Sequence, residues 1–223
     1  MEMNDGIFEV MRTASGRDPI VIFDSLDTIQ GYVGAQPGKN KEFYLEKVAT
    51  KHGMSTSEMI RDVPVDQYLQ WTAEMIHNKE LVPRILPGAA KLITEGYRTK
   101  GIRPIIITAD IPEGAALATW PLVESGLVAA ADVHGIYELG SKKQSATWAK
   151  AKELFEPNTD VWTVFEDNAA NLAAALKAYA GSDPRETFGY QVSEKPSGIE
   201  VQMAGLRMDR SVFIQEAGGP FGR

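Results

Sequence analysis

Three apolar runs in this 223-residue chain end in groups able to do chemistry, and two lysines lie between the last two runs. Residues 19–23, Pro-Ile-Val-Ile-Phe, lead into Asp24-Ser25-Leu26-Asp27-Thr28. Residues 103–107 lead into Thr108-Ala109-Asp110, and residues 160–165 lead into Glu166-Asp167. Lys142 and Lys143 follow Ser141. Carboxylates, a hydroxyl and a lysine brought to one place suit the joint binding of a magnesium ion and a phosphoryl group. Magnesium takes oxygen ligands, commonly one or two carboxylates together with substrate phosphate and water. A lysine and a threonine hydroxyl offset the other phosphate oxygens. A carboxylate held in line with phosphorus can attack it and form an acyl-phosphate.

Such groups act together only if the fold gathers them. A short apolar run bounded by a polar turn reads as a buried parallel strand, so residues 19–23, 103–108, 132–137 and 160–165 are expected strands. Helices are expected between them, over 88–96, 112–125, 141–155 and 168–180. The alternation predicts an α/β fold with a doubly wound parallel sheet. In such a sheet, ligands bind beyond the carboxyl ends of the strands, where Asp24, Thr108 and Asp167 would stand. Residues 40–80 differ: their apolar spacing is helical and they hold no credible strand. Ser55 or Ser57 is expected to cap a helix that Pro64 ends. The resulting division is a core of residues 1–30 and 82–223 with a helical cap insertion over 31–81. A short helix over residues 6–13 is expected in the polar lead. Residues 187–192 are a candidate fifth strand, 199–203 and 211–214 are further strands or an arm, and 218–223 are a frayed end.

The order of these motifs resembles the haloacid dehalogenase superfamily, whose members are mostly magnesium-dependent phosphatases. The resemblance spans roughly residues 19–181. Phe23-Asp24-Ser25-Leu26-Asp27-Thr28 is similar to its first motif, Ile105-Ile-Ile-Thr108 to its second and Lys142 to its third, with Lys143 as the rival lysine. Phe165-Glu166-Asp167-Asn168, followed by an alanine-rich helix, is similar to its fourth. The resemblance implies Asp24 as nucleophile and Thr108 and Lys142 as its catalytic partners. It implies Ser25, Thr28, Thr108, Ala109 and Lys142 as the groups that hold substrate. It implies a Mg2+ ion on Asp24, the Leu26 backbone carbonyl, Asp167 and Glu166, under a helical cap between the first and second motifs. Glu166 has a second reading, as an ion-pair partner of Lys142. Asp167 and Asn168 are both able to cap the helix that follows.

One position departs from the pattern. Two residues after the nucleophile, phosphatases of this type carry a second aspartate that protonates the leaving group and later activates water. Leu26 stands there, and a carboxylate appears one step later, at Asp27, as a candidate substitute. Asp110 either lines the site or caps the next helix. The leading expectation is therefore a phosphatase acting on a small phosphate ester. The rivals are a dehalogenase- or phosphonatase-type C–X hydrolase, and a binding or regulatory protein that keeps the fold without turnover.

Composition narrows the field. A net charge of −7 and a pI near 5.1 argue against binding to a nucleic-acid backbone. The absence of cysteine removes thiol catalysis and zinc-thiolate sites. His52, His77 and His134 share no metal-ligand spacing. Tyr68 and Trp71, at helical spacing, are expected in the core of the insertion. No membrane segment or signal peptide is legible, so a cytoplasmic protein is expected.

Overall fold

The computed structural model describes residues 18–155, 159–179, 187–204 and 211–215. The expected lead helix and the frayed end lie outside them. Five strands run parallel in the order β5-β4-β1-β6-β7, where β1 is Asp18–Phe23, β4 Arg103–Thr108, β5 Val133–Gly135, β6 Thr159–Glu166 and β7 Phe188–Lys195. Two antiparallel strands, β8 (Gly198–Ala204) and β9 (Ser211–Gln215), extend the sheet beyond β7. The two tail segments expected as strands or an arm are thus strands.

The central strand explains why its sequence is apolar throughout. Ile20 and Ile22 point into a cluster with Trp148 and Leu172, while Val21 and Phe23 point into a second cluster with Leu92, Tyr97 and Phe165. All four are fully buried. A strand covered on both faces needs no polar alternation. Helix α4 (Ala89–Gly96) supplies Leu92 to one face, and α7 (Ser145–Ala151) and α8 (Ala169–Tyr179) supply Trp148 and Leu172 to the other. The connections from β1 and β6 therefore leave toward opposite faces, and the crevice between these neighbouring strands opens at their carboxyl ends.

Between β1 and β4 the chain forms a short ribbon, β2 (Gln30–Tyr32) against β3 (Pro83–Ile85), and three helices between its strands. These are α1 (Asn40–Lys51), α2 (Thr56–Asp62) and α3 (Val65–His77). Ser55 caps α2 through a reciprocal capping box with Glu58, and Pro64 opens α3. The helices share an apolar cluster built from Tyr44, Leu45, Val48, Met59, Met75 and Ile76. The ribbon was not expected from sequence, because three residues containing Gly31 or Pro83 show no period.

Three expected elements are shorter than their patterns. The helix over 112–125 is two helices, α5 (Pro112–Ala118) and α6 (Trp120–Glu124). Pro121 lacks an N–H and its ring opposes the carbonyl four residues back, which breaks a continuous helix. The helix over 141–155 begins only at Ser145, because Gln144 N–H donates to the Ser141 carbonyl in a turn (2.9 Å). The strand over 132–137 ends at Gly135, where Ile136 N–H turns to the Thr108 carbonyl (2.9 Å).

Candidate active site

Asp24 continues the β1 ladder one residue past the strand, its N–H donating to the Phe165 carbonyl at 2.8 Å. The chain then turns sharply. The Ser25 carbonyl accepts from Ile29 and Gln30 N–H at 3.1 and 3.0 Å, and Ser25 Oγ donates to Gln30 Oε1 at 3.0 Å. This turn puts Thr28 Oγ1 3.1 Å from the Asp167 N–H, which ties the end of β1 to the end of β6. Asp167's carbonyl accepts from Gln191 Nε2 at 3.1 Å. Asn168, rather than Asp167, caps α8, its Oδ1 accepting from Ala170 and Asn171 N–H at 3.0 and 3.2 Å. Asp167's side chain is thereby left to meet Asp24 and Glu166.

Lys142 reaches in from the turn before α7. Its Nζ lies 2.6 Å from Asp24 Oδ1, 2.5 Å from Glu166 Oε2 and 3.5 Å from the Ile107 carbonyl. Trp148 holds this turn from behind, with Nε1 donating to the Lys142 carbonyl at 2.7 Å and its ring 5.1 Å from Nζ. Lys143 is exposed, so of the two lysines it is Lys142 that meets Asp24. Glu166 is fully buried, and its Oε1 accepts from Asn168 N–H and Asn171 Nδ2 at 3.3 and 3.2 Å. Thr108 and Ala109 follow Ile107 at the same edge, and Thr108 Oγ1 makes no hydrogen bond among the described residues.

The charges do not balance. One oxygen each of Asp24, Glu166 and Asp167 lie within 4.8 Å of one another, against the single ammonium of Lys142. Burial pushes the Asp24 carboxyl above its ordinary value, Glu166 adds to this, and Lys142 offsets part of it. Burial also raises Asp167, helped by the charge of Asp24 and by a hydrogen bond with Glu166. Burial alone would lower Lys142, but Asp24 and Glu166 outweigh it and hold the ammonium charged. A compact, buried, all-oxygen donor set with too few cations fits a hard divalent ion.

Two residues of the first motif point away from this chemistry. Leu26 is half-buried and packs against the apolar cluster of the inserted helices. Asp27 sits at φ 62° and turns its carboxylate to the start of α1. Its Oδ1 accepts from Asn40 N–H and Nδ2 at 3.2 and 2.6 Å, and its Oδ2 from Lys41 N–H at 3.4 Å. Asn40 Nδ2 also donates to Glu194 Oε2 at 2.7 Å, and Glu194 Oε1 pairs with Arg84 Nη2 at 2.6 Å. Sequence reasoning assigned no role to Asn171, Gln191, Asn40, Glu194 or Arg84. Gln191 was recoverable only from register, since it stands opposite Glu166 in the β6–β7 pair. The histidines stand outside this constellation; His52 stacks on Trp71 with ring centroids 3.7 Å apart.

No protein-family model and no curated protein matches the chain. Solved structures with a similar fold include a HAD hydrolase of family IA, variant 3, from Entamoeba histolytica, at 13% identity and a TM-score of 0.48, covering 72% of this chain and 80% of that one. A dehalogenase structure is also 13% identical, with a TM-score of 0.45, covering 78% of this chain and 90% of its own. A putative beta-phosphoglucomutase from Thermotoga maritima is 16% identical, with a TM-score of 0.42, covering 72% and 81%. These likenesses concern the fold, and the chemistry proposed below rests on this chain's own side chains. No helix of the described residues is long and apolar enough to cross a membrane.

Proposed function

We propose that the protein is a magnesium-dependent phosphohydrolase of the haloacid dehalogenase type, acting in the cytoplasm on a small phosphate ester. The observation that carries this reading is the meeting of Asp24, Lys142, Glu166 and Asp167 at the carboxyl ends of β1 and β6. Asp24, Asp167 and the Leu26 carbonyl would hold the ion, with Glu166 at its outer side. Bound there, magnesium would offset the negative charge of the pocket and of the phosphate. Asp24 is the nucleophile: its carboxylate oxygen bonds to phosphorus as the P–O bond to the leaving group breaks. Lys142 keeps Asp24 ionised and faces the phosphate oxygens, together with Thr108 Oγ1 and the Ser25, Thr28 and Ala109 segments. Water then attacks the acyl-phosphate and restores Asp24. Residues 31–81 act as a cap over the core of residues 1–30 and 82–223. They exclude bulk water and select the leaving group.

Leu26 favours one second reading, a phosphate-ligand binding protein without turnover, because no carboxylate stands at the usual donor position. Hydrolysis of a panel of phosphate monoesters with and without Mg2+ separates the two. The enzyme reading expects Mg2+-dependent phosphate release that Asp24→Asn lowers by about 10³-fold or more. Release that survives Asp24→Asn unchanged would remove Asp24 as nucleophile. Saturable binding of phosphate esters without release would establish the second reading.

A further inference from the structure

The backbone of Asp167 is held on both sides of its Cα. Its N–H donates to Thr28 Oγ1 at 3.1 Å, and its carbonyl accepts from Gln191 Nε2 at 3.1 Å. The next N–H along, that of Asn168, donates to Glu166 Oε1 at 3.3 Å. Thr28 and Glu166 belong to the motifs that build the site, whereas Gln191 comes from β7. We infer that Gln191 is a positioning residue for the divalent ion: by holding the Asp167 carbonyl it fixes where the Asp167 carboxylate stands, and so sets how tightly Mg2+ binds. This role deepens the phosphohydrolase reading and rests on its metal site.

The register of the sheet brings Gln191 to that place. Phe23, Phe165 and Tyr190 lie opposite one another on β1, β6 and β7. Their rings stack, with centroids 4.9 Å apart between Phe23 and Phe165 and 5.0 Å apart between Phe165 and Tyr190. All three belong to the apolar cluster on one face of the sheet. The residues that follow them, Asp24, Glu166 and Gln191, therefore stand level with each other and turn to the opposite face. Gln191 is the last residue of β7 paired with β6, and it is half-buried. Beyond it β7 runs on as the partner of β8, to Lys195.

The Asp167 carbonyl needs a donor from outside its own helix. Asn168 caps α8, with its Oδ1 taking the Ala170 and Asn171 N–H groups and its carbonyl accepting from Leu172 N–H at 3.0 Å. The helical ladder thus begins at Asn168, one residue too late for the Asp167 carbonyl, and Gln191 supplies the donor instead. Without it the peptide after Asp167 is free to shift, and the side chain on the same Cα shifts with it. That side chain must keep an oxygen within 4.8 Å of oxygens of Asp24 and Glu166. Magnesium demands near-ideal octahedral geometry at short range, so it tolerates little displacement of a ligand. The amide is also neutral, and it adds no further negative charge beside three carboxylates that share one ammonium.

The test is titration of the full chain with Mg2+ alone, read by calorimetry and by melting temperature. Gln191→Met keeps the length of the side chain and removes the donor. It is expected to raise the Mg2+ dissociation constant by about 10-fold or more, as loss of a group that orients a metal ligand does. Gln202→Met makes the same change at the exposed β8 residue opposite Gln191, and should leave the constant within about twofold. In release of p-nitrophenol from p-nitrophenyl phosphate, Gln191→Met should raise the half-saturating Mg2+ concentration by the same factor. Release at saturating Mg2+ should stay within about threefold of wild type. A hydrogen bond that only supports the fold behaves otherwise: Gln191→Met would then lower the melting temperature equally with and without Mg2+. That result, or an equal rise in the dissociation constant of Gln202→Met, would overturn the role of Gln191 while leaving the metal site in place. Gln191→Asn, which keeps the amide but withdraws it by one methylene, should show the same loss of affinity and decides the matter if Gln191→Met does not fold. A wild-type chain that binds no Mg2+ would instead overturn the metal site, and the role of Gln191 with it.

Discussion

Two buried charge clusters sit within a few residues of each other, and they are built to opposite rules. In the first, Asp24, Glu166 and Asp167 share one ammonium. In the second, Asp27 and Glu194 meet Arg84, Asn40 and the N–H groups of Gly38, Asn40 and Lys41, and every carboxylate oxygen accepts at least one hydrogen bond. A satisfied network fixes geometry, here the attachment of α1 to the β1 turn and to β7. An under-neutralised one holds free energy in reserve for something that binds. The difference separates a joint from a site, although both are made of the same residue types and both include an aspartate of the same motif.

The largest expected effect comes from taking the one cation out of the first cluster. Lys142→Met leaves Asp24 and Glu166 buried without a counter-charge, and loss of one partner from such a pair costs about 3–5 kcal/mol. Arg84→Met should cost less, about 1–3 kcal/mol, because Glu194 keeps the Gly38 and Asn40 donors. Urea denaturation of the two variants checks the order. Equal losses would mean that the first cluster is as well satisfied as the second.

A smaller effect distinguishes the clusters by pH and metal. Asp24 and Asp167 have folded-state pKa values above the ordinary carboxylate value, so the folded chain binds more protons than the unfolded chain between the two. Their contribution to stability therefore falls as pH rises from about 4 toward neutrality. Asp110, raised to about 7, has the same sign. Asp167→Asn should flatten that slope. Mg2+ should flatten it too, and at one hundred times its dissociation constant should add about 2.7 kcal/mol to the wild type. Melting curves across this pH range, with and without Mg2+, would show it. A Mg2+ response undiminished in Asp167→Asn would place the ion elsewhere.

The first cluster was legible in the sequence, and the second was not. Asp24, Thr108 and Glu166-Asp167 each end an apolar run, and strands covered on both faces make such runs conspicuous. The sequence preferred Lys142 with Lys143 as its rival, and the fold separates them, because a turn rather than a helix carries Lys142 inward. Asn40 and Glu194 meet across more than 150 residues of chain, and no local pattern marks either. Asp27 was readable only as a carboxylate near the nucleophile. Its direction depends on a left-handed backbone and on a helix that begins 13 residues later. The break at Thr119 follows from Pro121, which the sequence does carry, whereas the late start at Ser145 follows from the turn in which Gln144 N–H donates to the Ser141 carbonyl, which apolar spacing does not encode.

Asp27 is where the comparison can be broken most cheaply. It accepts from two backbone N–H groups at the start of α1, and Lys39, at the cap position itself, offers no side-chain acceptor. Asp27→Ala removes those acceptors, leaves Asn40 Nδ2 with Glu194 alone, and keeps the positive φ without an Asp side chain to favour it. A stability loss of about 1–2 kcal/mol is expected. Asp27→Asn retains one acceptor and the tolerance for φ 62°, so its loss should be smaller. If the second cluster is a joint, leaving-group release should fall by no more than about tenfold in Asp27→Asn, far less than in Asp24→Asn, with its pH dependence unmoved. Asp27→Asn with full stability and no release would make Asp27 part of the chemistry, and the line between the two clusters would then run through the carboxylate itself.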